Sequence, residues 1–175
     1  VRKKILEKNN IDYIAIPSNV DEDQVKESLL AAGANPMLIS KNLAELKSIK
    51  VSNKYPDQLV LGADSVISLN DELINKPNSR KEGLKILKKL NGSTHYLITS
   101  VCISKNGAMI WNFTDQSVLK MKKLSDKELI NYLKKIKTEI LLSYGVYQIE
   151  TGGLKLFDTV KGNMDSIMGL PIKQI

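Results

Sequence analysis

Three segments of this sequence place charged side chains where chemistry can use them. In Leu61-Gly62-Ala63-Asp64-Ser65 an apolar run delivers a carboxylate at what reads as the exit of a buried strand. Open α/β sheets hold their ligand clefts at the carboxyl ends of strands, where a carboxylate can hold a metal ion or take a proton from water. An N-cap or turn aspartate would look the same. In Asn75-Lys76-Pro77 the proline pushes Lys76 into extended backbone, which suits contact with phosphate oxygens, although an exposed turn lysine is the plainer alternative. Lys47, in Leu43-Ala44-Glu45-Leu46-Lys47-Ser48, borders an apolar helical stripe and either snorkels to water or points into a cleft. Glu22 is either an acidic first helical turn or a second carboxylate for a cation. Arg2, near a helix start, could meet phosphate with a bidentate guanidinium.

The single histidine, His95, follows a turn and enters a strand, a setting that favours a structural hydrogen bond. The single cysteine, Cys102, lies in an apolar strand without a histidine close in sequence and reads as an inert core thiol. With so few soft ligands a metal site would fall to carboxylates, hence to a hard divalent cation such as Mg²⁺ or Mn²⁺. No phosphate-binding Gly-rich loop, dinucleotide fingerprint or zinc spacing occurs.

The elements that must position these residues are legible in outline. The chain has helical character from its first residues, so a segment before Val1 is expected. Tyr13 to Ile16 reads as a short strand stopped by Pro17. Helices are expected from Asp21 to Ala32, ended by Gly33, and from Pro36 to about Val51. Leu59 to Leu61 begins a buried strand that continues through Val66-Ile67 to a turn at Asn70-Asp71. A helix from Ser79 to Leu90 follows, then a hairpin of Tyr96 to Ile103 with Met109 to Met121 around Lys105-Asn106-Gly107. Ser125-Asp126-Lys127-Glu128 is a capping box opening a helix to about Ile136. Beyond it, Gly-containing turns alternate with short strands. The order argues α/β or α+β, in one globular unit.

Composition bounds the rest. The chain has 175 residues, 42% hydrophobic, 26% charged and 5% aromatic, enough for one domain and too apolar for a disordered chain. Its longest apolar runs are too short to span a bilayer, so no membrane is expected, and a cytoplasmic location is the default. Lys and Arg number 26 against 19 Asp and Glu, a net charge of +7 that suits polyanions, phosphorylated small molecules included. Scarce aromatics weigh against a single-strand nucleic-acid binder. A nucleic-acid-binding regulator, which the net charge suggests, remains the alternative to an enzyme.

The ordered set of motifs is more specific than its parts. The chain resembles the Maf family of nucleotide pyrophosphatases, also called septum-formation proteins, from Arg2 to Pro171. Arg2-Lys3-Lys4-Ile5-Leu6 is similar to the tail of the family's serine-x-x-arginine opening, and Val20-Asp21-Glu22 to its acidic motif. Leu43 to Ser48 resembles its Leu-Ala-x-x-Lys-Ala helix, Leu61 to Ser65 its Gly-Ala-Asp-Thr segment and Asn75-Lys76-Pro77 its Gly-Lys-Pro. Asn91 to His95 with Thr99 follows its Ser-Gly-x-x-His-x-x-x-Thr, and Tyr147 to Glu150, Lys161 to Asn163 and Ile167 to Pro171 its C-terminal pattern. The resemblance implies an α/β fold with a mixed, twisted sheet flanked by helices, a single domain over residues 1–175 with a cleft, and a frequent homodimer. It places the family's first strand and serine before residue 1. It also implies hydrolysis of a nucleoside triphosphate to the monophosphate and pyrophosphate with Mg²⁺ or Mn²⁺. Asp64 would then be the general base, Lys47 and Lys76 catalytic cations, and Arg2, Ser65 and Glu150 substrate contacts, with Glu22 and Asp64 on the metal. Relatives selective for dTTP and UTP carry glutamine where Glu150 aligns, so the glutamate resembles the 7-methyl-GTP branch or broad-range members.

Overall fold

The computed structural model describes residues 1–149 and 152–175. Five strands form one sheet in the order β2-β1-β3-β4-β5: β1 (Val60–Leu69), β2 (Glu72–Ile74), β3 (Thr94–Lys105), β4 (Ala108–Met121) and β5 (Phe157–Lys161). The β1–β2 and β4–β5 pairings are antiparallel. Between β3 and β4 only Asn106 and Gly107 intervene, at φ of 51° and 78°, as a tight hairpin turn requires. Short turns therefore give the sheet more antiparallel character than the mixed sheet expected. Helix α4 (Arg80–Leu90) connects β2 to β3. The fold is α/β, and no helix among the described residues is long and apolar enough to cross a membrane.

Packing divides the chain into two compact units. The first comprises residues 1–66, 97–117 and 162–175. It holds α1 (Arg2–Lys8), α2 (Glu22–Ala31), α3 (Pro36–Ser52) and the short α7 (Met164–Ile167). Each longer helix starts as its sequence dictates. Asp21 caps α2 by accepting from the Gln24 amide at 3.1 Å, and Asn35 caps α3 by accepting from Leu38 at 2.9 Å. On one face of the sheet Ile5, Val101 and Leu170 form a core with Leu61, Ala63, Trp111 and Phe113 packed against it. Residues 62, 64 and 66 of β1 are buried on the other face, where Gly62 lies against α3.

The second unit comprises residues 67–96 and 118–161. Its helices are α4, α5 (Asp126–Lys135) and α6 (Thr138–Tyr144). Ser79 caps α4, and the Ser125–Glu128 capping box opens α5 as expected. Arg80 ties the helices together, donating to the Ile136 carbonyl at 2.9 Å and the Thr138 hydroxyl at 2.7 Å. His95 is fully buried, its Nε2 2.8 Å from the Tyr147 hydroxyl and its ring tilted against Tyr147 and Phe157.

Burial lowers the His95 pKa from 6.5 to about 4, so the folded chain holds it neutral where an unfolded chain would protonate it. Between those values the unfolded state binds more protons, so this contribution to stability is complete above pH 6.5 and fades as pH falls to 4. The whole effect is on the order of 3 kcal/mol. We expect the denaturation midpoint of wild type to fall faster with acid than that of His95→Gln across this window. A constant difference between the two proteins would contradict it.

Two expectations are corrected. Residues 13–16 form no strand: Ile14 is 87% exposed, and no strand among the described residues pairs with this segment, which Pro17 closes. Among the described residues the stretch after α5 holds one strand, β5, with α6, α7 and the 3-10 turns Gly153–Leu156 and Ile172–Gln174 where further short strands were expected.

Candidate active site

Asp64 does not stand at the exit of its strand. It lies mid-way along β1, 5% exposed, because β1 runs on to Leu69 to pair with β2. What makes it accessible to partners is Gly62, two residues earlier on the same face. A Cβ at position 62 would sit 2.3 Å from the Ala44 carbonyl oxygen and 2.8 Å from the Ser48 amide nitrogen. Only glycine lets β1 lie this close to α3. Lys47, between Ala44 and Ser48, is thereby delivered to Asp64.

The Lys47 ammonium stands 2.8 Å from Asp64 Oδ1 and 2.8 Å from a Glu22 carboxylate oxygen. Of its two sequence readings, the one that points inward holds. Glu22 occupies the first turn of α2, as one of its two readings has it, and its carboxylate pairs with the Lys47 ammonium. Asp64 Oδ2 is buried without a hydrogen-bond partner. A buried carboxylate oxygen keeps its full capacity to accept a hydrogen bond or bind a cation, and leaving it unpartnered is costly. Beneath this group, Ser48 joins Ser104 at 2.7 Å and Cys102 at 3.2 Å, so the thiol is an embedded core group, as expected.

Ser65 points to the opposite face of β1, as strand alternation demands, where Arg2 Nη2 lies 3.4 Å from its hydroxyl. Arg2 Nε donates to the Gly169 carbonyl at 2.8 Å. The structure thus brings Asp64, Lys47 and Glu22 into one cluster, and Arg2 with Ser65 into another on the adjoining residue. Lys76 is exposed after β2 in the second unit, and Glu150 lies outside the described residues. Gly62, Thr99 and Gly169 entered the sequence reading only as members of motifs, with no role assigned to them. An isolated glycine inside a strand pattern signals close backbone approach, and that signal could have found Gly62.

The Maf-like protein family matches residues 1–175. The chain belongs to this family. It is 59% identical over 175 residues to a Pelagibacter ubique (strain HTCC1062) protein named nucleoside triphosphate pyrophosphatase, covering 100% of this chain and 90% of that one. A Ruegeria pomeroyi protein of the same name is 34% identical, covering 100% of this chain and 88% of its own. A Rhizobium etli protein named 7-methyl-GTP pyrophosphatase is 32% identical over 171 residues, 98% of this chain and 86% of its own. This Maf-like chain therefore carries the carboxylate–lysine–carboxylate cluster on the motifs that suggested it.

Proposed function

We propose that this Maf-like protein hydrolyses a nucleoside triphosphate to the monophosphate and pyrophosphate, clearing unwanted or modified nucleotides. The observation that carries the reading is the buried Asp64 carboxylate, with one oxygen held by Lys47 and the other without a partner. The two oxygens have different tasks. Lys47 fixes the orientation of the carboxylate through Oδ1, which leaves Oδ2 to take a proton from water. The oxygen of that water bonds to the α-phosphorus, the bond to the bridging oxygen breaks, and pyrophosphate departs with the electron pair. Phosphoryl chemistry is mostly positioning and charge neutralisation, so the cations Arg2, Lys47 and Lys76 are assigned to the triphosphate oxygens.

A divalent cation, Mg²⁺ or Mn²⁺, fits the residues present. Asp64 and Glu22 share one neighbourhood, and Oδ2 lacks a partner. No group of three or more His, Cys, Asp or Glu that could hold a metal occurs among the described residues. One or two carboxylates completed by water and substrate phosphates are what Mg²⁺ usually accepts. When bound, the ion would neutralise charge on the phosphates and polarise the phosphoryl oxygens.

The names of the relatives support a nucleotide substrate, and we assign the guanine side of the range, including 7-methyl-GTP, to Glu150. A carboxylate accepts from the N1–H and amino group of guanine but faces the carbonyls of thymine unfavourably. We further propose that residues 1–175 act as one domain, in the cytoplasm where triphosphate pools lie, and as a homodimer. The deciding experiment is product identity on a panel of canonical and modified triphosphates with Mg²⁺ or Mn²⁺. Monophosphate and pyrophosphate should appear in equal amounts. Accumulating diphosphate with orthophosphate would mean a phosphatase instead.

A further inference from the structure

Five hydrogen-bond contacts around Arg2 close into a ring. Arg2 Nε donates to the Gly169 carbonyl at 2.8 Å, and Arg2 Nη2 reaches Ser65 Oγ at 3.4 Å. Ser65 Oγ lies 2.9 Å from Thr99 Oγ1, and Thr99 donates to the Ser166 carbonyl at 2.8 Å. The Gly169 amide donates to that same carbonyl at 2.9 Å and completes the circuit. Thr99 is 1% exposed, within β3, so it anchors the ring from inside the sheet. Gly169, at φ 92°, forms its floor: a Cβ there would come within 3.2 Å of Arg2 Nε.

The direction of the protons follows from counting them. A hydroxyl has one proton, and the one on Thr99 goes to a carbonyl, which can only accept. In the Ser65–Thr99 contact, therefore, Ser65 donates. Its lone pairs are then turned to the guanidinium, which can only donate. Along this arm the donors point one way, from Arg2 through Ser65 and Thr99 to Ser166, and the other arm runs from Arg2 through Gly169 to the same carbonyl. Such aligned chains polarise one another and hold a single geometry.

We infer that Thr99 is a positioning residue: acting through Ser65, it fixes the orientation of the Arg2 guanidinium. Ser65 itself has no proton left for a phosphate oxygen, so its expected contact with substrate is replaced by a part in this relay. The consequence for catalysis rests on the proposed role of Arg2 in holding the triphosphate; the geometry of the ring does not. A mobile guanidinium loses rotamer entropy each time it binds phosphate, and an oriented one has lost it already.

The test uses the fact that the chain has two arginines, Arg2 and Arg80. Their Nε–H signals can be followed by nitrogen-15 NMR on the whole protein, with Arg80, held in the second unit, as internal control. In Thr99→Val, which keeps the shape and removes the hydroxyl, exchange of the Arg2 Nε–H should quicken roughly tenfold while Arg80 is unchanged. Thr99→Ser should restore it. The same Thr99→Val protein should show KM for its triphosphate raised roughly tenfold with kcat little altered, since charge-holding contacts act in the ground state too. Unchanged Arg2 exchange in folded Thr99→Val, or equal quickening of both arginines, would overturn the inference. If wild type released no pyrophosphate, the proposed reaction would fail, while the exchange measurement would still decide the ring.

Discussion

Asp64→Asn should lower kcat by about 10³-fold while leaving the protein folded and KM no higher than wild type. The amide is nearly isosteric, and its oxygen can still accept from Lys47 at the position of Oδ1. What is lost is the charge and the ability of the second oxygen to take a proton. General-base contributions of about 10²–10⁴ place the effect near 4 kcal/mol of activation free energy. Substrate binding has no reason to weaken, because removing a negative charge beside a polyanion relieves repulsion. The midpoint of the divalent-cation titration should rise, since a neutral amide is a poorer ligand for a hard ion. Turnover within threefold of wild type at saturating metal would remove Asp64 from the chemistry. A raised KM with unchanged kcat would make it a binding group only.

How much of this was legible before the structure can be traced residue by residue. The start of α5 was, because a capping box is local: Ser125 accepts from the amide of Glu128, three residues on, and Asp21, Asn35 and Ser79 cap their helices at the same spacing without having been read as caps. The hairpin at Asn106-Gly107 was legible for the same reason, its turn needing two left-handed residues in succession. The Tyr13–Ile16 strand was not, since a strand needs a partner and four apolar letters do not reveal whether one exists. The site shows the same division. Asp64 could be chosen by its setting, but its place inside β1 depends on pairing with β2, which is tertiary information. Lys47 was ambiguous until Glu22 and Asp64 were seen on either side of it. Thr99 and Gly169 are 70 residues apart in the chain, and only the fold shows that both serve Arg2.

Gly62→Ala should cost about 3 kcal/mol of stability and roughly 10²-fold in kcat/KM, the largest combined effect of any one-carbon change near the cluster. The added methyl would lie 2.3 Å from the Ala44 oxygen, 2.8 Å from the Ser48 nitrogen and 2.9 Å from Ser48 Cβ. Two of these atoms are helix backbone, which cannot rotate out of the way as a flexible side chain would. Either α3 or β1 must withdraw by about 1 Å to restore van der Waals separation, and close-packed cores resist such shifts. Lys47 lies between the two contacts, so the withdrawal acts directly on its ion pair with Asp64. Alanine would otherwise favour the folded state slightly, by restricting the unfolded chain, so the loss measured is net of that gain. Gly33→Ala supplies the contrast. Nothing lies within 4 Å of a Cβ there, and its φ of 80° leaves only backbone strain of about 1–2 kcal/mol. That variant should lose stability with kcat/KM intact, whereas Gly62→Ala should lose both. If Gly62→Ala kept wild-type turnover and melting temperature, the tight seat of β1 on α3 would not be what holds Lys47 against Asp64.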